Sequence, residues 1–403
     1  MNKKIVIAGL GTVGISVING LVNNHKLIKS RTNADYEIIG VSARSNKDRG
    51  IDLSNYQFYD NPVDMAQTAD YDILVEVMGG TSDLILDTVK GALKKGKTVI
   101  TANKAMLASF GEELSQLAED NNSNILFEAS IAGGIPIVKT LREGMIGNKI
   151  EAIYGILNGT CNYILTTVKE TGRSFEDVLK EAQELGYAEA EPSFDVDGYD
   201  AGQKLALMSA IGFGIKIPYD KMYFEGIMGF ISGDDIEISD GLGLAPRLIG
   251  TAKPMNDGYI VYMAPCLVSK YKTMGNINGV TNACVVVGDM VGSIENIGAG
   301  AGGGATASAV IADISDALKG NYTQTFNGIT KDLKSVNILP ITERIGRYYV
   351  SNNTADVTKA LEGAGIEIQK SNDKAVVTND VKEETINNAL SGIDCNIIRV
   401  EDC

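Results

Sequence analysis

The sequence has few of the residues that carry most acid–base chemistry and metal binding in enzymes. Its 403 residues contain no tryptophan and one histidine, His25. A Ser-His-Asp triad and a multi-histidine metal site are nearly excluded, because both are built on imidazole groups. Proton transfer by this chain therefore has to use lysine, aspartate, glutamate, tyrosine or cysteine.

Cysteine is also scarce, and long apolar runs are missing. The five cysteines are Cys161, Cys266, Cys284, Cys395 and Cys403. Their odd number and the lack of a C-x-x-C pair predict reduced thiols and favour the cytoplasm. The longest nearly uncharged helical candidate, residues 201–215, is shorter than the roughly 20 residues that cross a bilayer, so no membrane anchor is expected.

Basic side chains are outnumbered by acidic ones. There are 36 lysines and arginines against 51 aspartates and glutamates, which gives a formal charge of −15. This charge repels phosphate backbones and anionic lipid, so a small molecule is a better partner than nucleic acid or a membrane. With 44% hydrophobic and 22% charged residues the chain should be globular. Its length indicates two or three domains at about 150 residues each.

The N-terminal third alternates predicted strands and helices, as in the parallel sheet of a doubly wound α/β domain. Gly9, Gly11 and Gly14 form a G-x-G-x-x-G motif between a predicted strand (4–8) and a predicted helix (12–22). The first glycine permits a tight turn, the second lets backbone approach a pyrophosphate, and the third lets helix and strand pack closely. An ordinary glycine-rich turn is the alternative. The strand and helix on either side favour a dinucleotide site that includes Thr12 and Val13.

The second predicted strand ends near Ser42 without the Asp or Glu that a NAD site offers to the ribose. Arg44, Lys47 and Arg49 follow instead, and a cationic group there can pair with the 2′-phosphate of NADP. A solvated basic loop explains the same residues about equally well. NADP is therefore the preferred cofactor, and NAD still fits.

Two lysines are candidate catalytic residues. Lys104 follows Thr101 and Asn103 at the end of a predicted strand, at the sheet edge where open α/β folds bind ligands. Asp200 and Lys204 lie four residues apart, and Lys204 is the only charge between residues 201 and 215. We expect this second pair to be buried on a helix, although a surface ion pair has the same spacing.

Seven segments of the chain occur in the order found in homoserine dehydrogenases, and the chain resembles that family from end to end. The segments are GLGTVG (9–14), VEVMGG (75–80), GKTVITANKAMLA (96–108), FEASIAGGIPI (127–137), GILNGTCNYIL (155–165), GYAEAEPSFDVDGYDAGQKL (186–205) and GAGAGGGATASAV (298–310).

The resemblance implies an α/β protein with three parts. Residues 1–135, completed by residues 298–325, would form an NADP-binding Rossmann domain. Residues 136–297 would form an inserted α+β domain for substrate binding, catalysis and dimerisation. Residues 340–403 are similar to a small ACT-like βαββαβ regulatory module. The family's architecture also implies a homo-oligomer, either a dimer or a tetramer.

The resemblance assigns roles to residues at matching motif positions. Lys104 and Lys204 would be the catalytic lysines, with Asp200 beside Lys204. Glu189 and Asp195 would hold the amino end of the substrate. The residues implied to line the cofactor and substrate cleft are Gly79, Gly155, Asn158, Gly159, Thr160 and the turn of residues 300–304, which includes Gly302. The implied site for a monovalent cation, Na⁺ or K⁺, comprises Glu128 and backbone carbonyls of Ile131, Gly133 and Ile135.

The activity implied by the resemblance is reversible NAD(P)H-dependent reduction of L-aspartate 4-semialdehyde to L-homoserine, in threonine and methionine biosynthesis. Two other functions remain open from the sequence. One is an aspartate-semialdehyde dehydrogenase that uses Cys161 as nucleophile. The other is a non-catalytic NADP-sensing regulator.

Overall fold

The computed structural model describes residues 2–45, 47, 49–352 and 354–403. The chain forms two compact units. The first comprises Met1–Ile150, Ala206–Ile217 and Gly298–Ser335, and the second comprises Glu151–Leu205, Pro218–Ile297 and Val336–Cys403. The three-part boundaries predicted from the sequence stay predictions.

Strands and helices alternate through residues 2–150. The elements are β1 (Asn2–Ala8), α1 (Thr12–Asn23), α2 (His25–Thr32), β2 (Asp35–Ser42), β3 (Gln57–Tyr59), α3 (Pro62–Thr68), β4 (Ile73–Glu76), α4 (Asp83–Lys94), β5 (Thr98–Thr101), α5 (Lys104–Asp120), β6 (Asn124–Leu126) and α6 (Ile137–Lys139).

Longer strands and a nearly uncharged helix follow. The elements are β7 (Ile150–Ile156), α7 (Gly159–Thr171), α8 (Phe175–Glu184), α9 (Ser193–Val196), α10 (Tyr199–Phe213), β8 (Tyr223–Phe224), α11 (Gly233–Gly241), β9 (Leu244–Met255), β10 (Gly258–Ser269), β11 (Thr281–Gly288), β12 (Gly292–Ala299) and α12 (Gly303–Lys319).

The C-terminal segment contains the remaining strands and helices. They are β13 (Ile345–Ser351), α13 (Thr354–Gly363), β14 (Ile368–Ser371), β15 (Ala375–Thr378), β16 (Val381–Lys382), α14 (Glu383–Ala389) and β17 (Asn396–Glu401).

The first unit is built on a parallel six-stranded sheet in the order β3-β2-β1-β4-β5-β6. This is the doubly wound order, in which the chain reverses direction across the sheet between β1 and β4. The apolar residues of β1 from Ile5 to Ala8 are fully buried, because helices cover both faces of a parallel sheet. The predicted Rossmann-type sheet is confirmed. Helix α12, distant in sequence, packs against α1 in the same unit.

The second unit contains an 11-stranded sheet whose main path is β12-β11-β7-β9-β10-β17-β13-β15-β14. The C-terminal segment joins this sheet through parallel pairing of β17 with β10. Its own strands pair antiparallel in the order β17-β13-β15-β14. A βαββαβ chain with this pairing is ferredoxin-like, so the elements predicted for this segment are present, while its relation to ACT modules stays a prediction.

Residues 201–210 of α10 are buried all round, as the scarcity of polar residues on this helix predicts. Among the described residues, no helix combines the length and apolar character that would let it cross a membrane.

Candidate active site

The glycine motif forms the turn between β1 and α1. Gly9 has a φ of +108°, and a Cβ there would lie 2.7 Å from the Val77 carbonyl oxygen. At Gly14 a Cβ would lie 2.0 Å from the Gly9 carbonyl oxygen. Both positions therefore require glycine, one for the turn and one for the close approach of helix to strand. A Cβ at Gly11 would have no neighbour within 4 Å, so this backbone borders open space.

Two helix N-termini meet beside this turn. Helix α1 begins after Gly11 and α12 begins after Gly302, and within the described chain neither start has a side-chain cap. A Cβ at Gly303 would lie 2.9 Å from Thr12 Cγ2, so the first turns of the two helices touch. Backbone N–H groups and helix dipoles at such ends favour an anion. The predicted residues Thr12, Val13 and Gly302 are thus brought together.

A buried carboxylate that the sequence reading missed organises the neighbouring loops. Glu76, at the end of β4, is fully buried, and burial raises the pKa of its carboxyl group. Its Oε1 accepts from the backbone N–H groups of Met78 (2.8 Å) and Gly79 (3.3 Å), and its Oε2 accepts from the Thr101 hydroxyl (2.6 Å). The sequence signal for Glu76 was a carboxylate that ends an otherwise apolar strand, where burial requires hydrogen-bond partners.

Asn103 fixes the start of α5 and so places Lys104. Its Oδ1 accepts from the Met106 N–H at 3.1 Å, and its Nδ2 donates to the Gly80 carbonyl at 2.7 Å. The Thr101 hydroxyl accepts from the Asn103 N–H at 3.0 Å. Lys104 is the first residue of α5 and is half-buried. The predicted residues Gly79, Thr101 and Asn103 therefore lie in one network at the carboxyl edge of the sheet.

Arg44 and Lys47 are exposed in the loop after β2. Arg49, in the same loop, donates from Nε to the Leu10 carbonyl at 3.2 Å and from Nη1 to the Lys47 carbonyl at 2.8 Å. Arg49 therefore connects the basic loop to the glycine turn through a hydrogen bond, while Arg44 and Lys47 face solvent.

Lys204 forms the buried pair that the sequence predicts. The residue is 9% exposed, and its Nζ lies 2.8 Å from Asp200 Oδ2 and 2.7 Å from the Leu157 carbonyl oxygen. A carboxylate and a carbonyl together compensate the cost of removing an ammonium group from water. The surface ion pair considered as an alternative is wrong.

Asn158 connects this pair to the segment before α10. Its Nδ2 donates to Asp195 Oδ1 at 2.7 Å and to Asp200 Oδ2 at 3.3 Å, while its Oδ1 accepts from the Cys161 N–H and caps α7. Asp195, Asp200 and Lys204 are therefore joined through one buried amide.

The other predicted substrate residues surround the start of α7 and the loop after α8. A Cβ at Gly159 would lie 2.9 Å from the Val280 carbonyl oxygen, so backbone packs tightly there. The Thr160 hydroxyl donates to the Tyr187 carbonyl. Glu189 is exposed in the loop after α8, where its carbonyl accepts from Gln183 Nε2 at 3.0 Å.

Cys161 is a poor nucleophile in this setting. Its side chain is fully buried, its thiol donates to the Asp195 carbonyl at 3.2 Å, and burial beside Asp195 and Asp200 raises its pKa. A thiol with a raised pKa carries little thiolate at neutral pH, which is the reactive form.

Glu128 lies in a buried acidic cluster of the first unit. It is 1% exposed, and its two carboxylate oxygens accept from the backbone N–H groups of Val138 (2.8 Å) and Lys139 (2.9 Å) at the start of α6. Its own N–H donates to Asp313 Oδ2 at 2.8 Å. Burial, with the negative charge of Asp313, raises the pKa of Glu128 to about 7. Arg142, also buried, partly offsets this shift.

The predicted carbonyl donors follow Glu128 in an irregular turn. Ile131, Gly133 and Ile135 are buried, and a Cβ at Gly133 would lie 2.5 Å from the Gly300 carbonyl oxygen. A carboxylate with neutral carbonyls is a donor set that suits a hard cation. The raised pKa indicates that the two backbone donors do not fully compensate the burial of the Glu128 carboxylate.

Comparisons with known proteins agree with these features. The family model for homoserine dehydrogenase matches residues 136–315, and the model for the NAD-binding domain of homoserine dehydrogenase matches residues 9–128. A homoserine dehydrogenase of Pseudomonas aeruginosa is 37% identical over 97% of this chain and 95% of its own length.

Solved structures are similar over the same extent. A homoserine dehydrogenase from Thiobacillus denitrificans superposes with a TM-score of 0.92 at 34% identity, over 100% of this chain and 99% of that one. A hyperthermophilic archaeal homoserine dehydrogenase in complex with NADPH has a TM-score of 0.67 at 28% identity, over 79% of this chain and 98% of that one. The chain belongs to the homoserine dehydrogenase family of NAD(P)-dependent oxidoreductases that act on a CH–OH group.

Proposed function

We propose that this chain reduces L-aspartate 4-semialdehyde to L-homoserine with NADPH as its preferred cofactor, and that Lys204 supplies the proton. When bound, the reduced nicotinamide supplies the hydride to the aldehyde carbon. The observation that carries the proposal is the buried Lys204 ammonium, held between Asp200 and the Leu157 carbonyl.

The geometry of Lys204 suits a proton donor. An ammonium group has three N–H donors, and these two contacts occupy two of them. The third can be offered to the aldehyde oxygen, which takes the proton as the carbon takes the hydride. Asp200 Oδ2 holds the ammonium group in position before transfer. In the reverse reaction the neutral lysine accepts the proton of the alcohol.

Lys104 and the carboxylates have supporting roles in this proposal. Lys104, at the carboxyl edge of the parallel sheet, would stabilise negative charge on the substrate oxygen during reduction. Glu189 and Asp195 would hold the substrate ammonium group. The hydrogen bond from Asn158 to Asp195 supports this role, because it fixes one carboxylate oxygen of Asp195 and leaves the other for the substrate.

The nucleotide would bind at the glycine turn of the first unit. Gly9, Gly11 and Gly14 with the first turns of α1 and α12 would hold the pyrophosphate, and Gly79, Thr101, Asn103 and Gly302 would border the cofactor. The NADPH bound to the archaeal relative supports this cofactor class.

The exposed cations after β2 carry the preference for NADPH. Replacing Arg44 with alanine should raise KM for NADPH by about tenfold or more and change KM for NADH little, because the guanidinium would contact only the 2′-phosphate. Steady-state kinetics with both cofactors measure this, with the exposed Arg31→Ala as control. Equal effects on the two cofactors would remove the 2′-phosphate assignment from Arg44.

Four further features belong to the same proposal. A monovalent cation would bind Glu128 and the carbonyls of residues 131, 133 and 135. The chain would act as a dimer or tetramer, since β12 is an edge strand that contains the exposed apolar residue Ile297 and is preceded by the exposed Val291. Residues 340–403 would act as an ACT-like module. The cysteines, all free, support a reducing compartment such as the cytoplasm.

The direct test is turnover by the purified chain. We expect oxidation of NADPH on addition of aspartate 4-semialdehyde, with homoserine as product by mass spectrometry. A non-catalytic regulator would bind NADPH without consuming it. A semialdehyde dehydrogenase would instead reduce NADP⁺ in the presence of phosphate and would lose activity in Cys161→Ser.

A further inference from the structure

A polar pocket lies in the second unit, where the C-terminal segment meets β9. Its volume is about 510 Å³, within the range of pockets that bind small metabolites. The charged residues among those that line it are Lys253, Arg344, Arg347, Asp380, Glu401 and Asp402. None of them belongs to the candidate active site.

The inner wall of this pocket, named here the anion pocket, is formed by Lys253, Arg344 and Glu401 and carries more positive than negative charge. Arg344 is 3% exposed, and its Nη2 lies 2.6 Å from Glu401 Oε1. Lys253 Nζ lies 3.5 Å from Glu401 Oε2. Two cations thus share one buried carboxylate, which also accepts from the Tyr262 hydroxyl. The excess positive charge would be relieved by an anion.

The Arg344 guanidinium is fixed in place but not fully satisfied. Its Nη1 is buried and has no hydrogen-bond partner among the residues that the structure describes. A Cβ at Gly346 would lie 2.7 Å from the guanidinium carbon, so backbone packs directly on the group. A buried donor without a partner is unfavourable. A small shift of the Arg344 side chain would let an acceptor in the pocket bind this N–H group.

The outer wall carries the remaining charges. Arg347 Nη2 lies 3.3 Å from Asp402 Oδ1, and its Nη1 donates to Gln369 Oε1 at 3.1 Å. Asp380 and Asp402 are exposed. Asp380 and Asp402 are therefore solvated, whereas the Arg344 side chain, 4% exposed, is shielded from water, where charge interactions are stronger.

We propose that this pocket binds a small anionic metabolite through Lys253 and Arg344, with a carboxylate or a phosphate as the recognised group. Lys253 belongs to β9, and the other charged residues belong to residues 344–402. The ligand would therefore bridge the C-terminal segment to the middle of the sheet and stabilise their contact.

The test titrates the full-length protein with sodium phosphate or sodium succinate and follows the Tm, with sodium chloride at matched ionic strength as reference. Lys253→Met removes one of the two cations that pair with Glu401. Lys270→Met is the matched control, because Lys270 has a similar side-chain exposure (28% against 30%) and also pairs with a carboxylate in the second unit. Hydrogen exchange of β17 and β13 reports on the bridging.

We expect at least one of the two anions to raise the Tm saturably in the unchanged protein and in Lys270→Met. Lys253→Met should weaken the apparent affinity about tenfold or more. Arg347→Met should weaken it to a smaller extent, and it serves as the second variant if Lys253→Met does not fold. Anion binding should also slow exchange in β17. A phosphate effect alone identifies a phosphate site, and a succinate effect alone identifies a carboxylate site.

The proposal is overturned if neither anion acts beyond chloride, or if Lys253→Met and Arg347→Met respond like Lys270→Met. In the second case the anions bind elsewhere, for example at the helix ends beside the glycine turn. Failure of homoserine production leaves this test unaffected, since none of its readouts depends on turnover.

Discussion

At the scale of single residues, Lys204 is placed to transfer a proton in a chain that has only one histidine. The ammonium lies on a helix that is otherwise almost free of charge, so its only counter-charge on that helix is Asp200, one turn away. A buried lysine keeps its position because the carbonyl of Leu157 and the Asp200 carboxylate hold it from two sides. Such a group can transfer a proton without first being organised by substrate binding.

Replacement of Lys204 by alanine should lower kcat by about 10²–10⁴-fold, because the alkoxide would lose its proton donor. The Kd for NADPH should change little, since the proposed nucleotide contacts lie elsewhere in the chain. Stopped-flow measurement of hydride transfer and fluorescence titration of NADPH separate the two effects. Lys169→Ala is the control, because Lys169 also pairs with an aspartate in the second unit. Normal turnover in Lys204→Ala would end the assignment.

The sequence predicts some of these residues and not others, for a physical reason. Burial of Lys204 follows from local composition, because a helix without other charges has no face to turn to water. Its contact with Leu157 and the bridge from Asn158 to Asp195 join residues about 40 positions apart, and no local pattern encodes such contacts. Glu76 carried a local signal, a carboxylate at the end of a buried strand, but its partners at residues 78, 79 and 101 appear only when β4 and β5 lie side by side.

At the scale of elements, the meeting of α1 and α12 depends on a glycine. A Cβ at Gly303 would lie 2.7 Å from Ser16 Oγ and 2.9 Å from Thr12 Cγ2, so any side chain there pushes the two helix starts apart. The proposed pyrophosphate site uses both starts. The distance between the helices therefore sets how well an anion is held.

Gly303→Ala should raise KM for NADPH by about tenfold and lower stability by about 1–3 kcal/mol through overpacking. Gly91→Ala is the control, since Gly91 lies inside α4 and a Cβ there would have no neighbour within 4 Å. Alanine in a helix interior is favoured over glycine, so this control should be neutral or slightly stabilising. Kinetics and thermal unfolding of both variants test the prediction. Equal KM values would show that the contact of α12 with α1 does not shape the nucleotide site.

Elements were predicted best where short apolar strands alternate with amphipathic helices. The α/β alternation of the first unit follows from such patterns, whereas the βαββαβ order of the C-terminal segment, also present in the structure, came from the family resemblance. The long strand β9 was missed, because residues 244–252 are all buried and show no alternation that would identify a strand. The joining of β17 to β10 was also out of reach, since residues 267 and 400 pair across most of the second half of the chain.

At the scale of the whole molecule, the chain has a net charge of −15, and several of its carboxylates are buried. Some of these are compensated within the protein. Arg344 and Lys253 lower the pKa of Glu401 to about 2 despite its burial. Others are less well compensated, because burial raises the pKa of Glu128 to about 7 and that of Asp313 to about 6. The free energy of unfolding should therefore depend on pH and on cations through Glu128 and Asp313.

The sign of that response follows from proton linkage. The ordinary pKa of Glu128 is 4.5 and rises to about 7 on folding, so the native state binds more protons than the unfolded state between these values. The contribution of Glu128 to the free energy of unfolding is then fully present below pH 4.5 and is lost as the pH rises to about 7. The loss amounts to about 3 kcal/mol at most. Asp313 changes stability in the same direction over a lower pH range.

A monovalent cation bound to Glu128 should remove much of this loss, because the ion favours the charged carboxylate. In buffers that contain only bulky organic cations, the free energy of unfolding should fall as the pH rises from 4.5 to 7. Sodium or potassium chloride should restore it, whereas choline chloride at equal ionic strength should not. In Glu128→Gln the fall should shrink to the part that belongs to Asp313, and the alkali cations should lose their effect. Denaturant unfolding across this pH range measures all three results. An unchanged cation response in Glu128→Gln would place the ion, if any, away from the turn of residues 131–135.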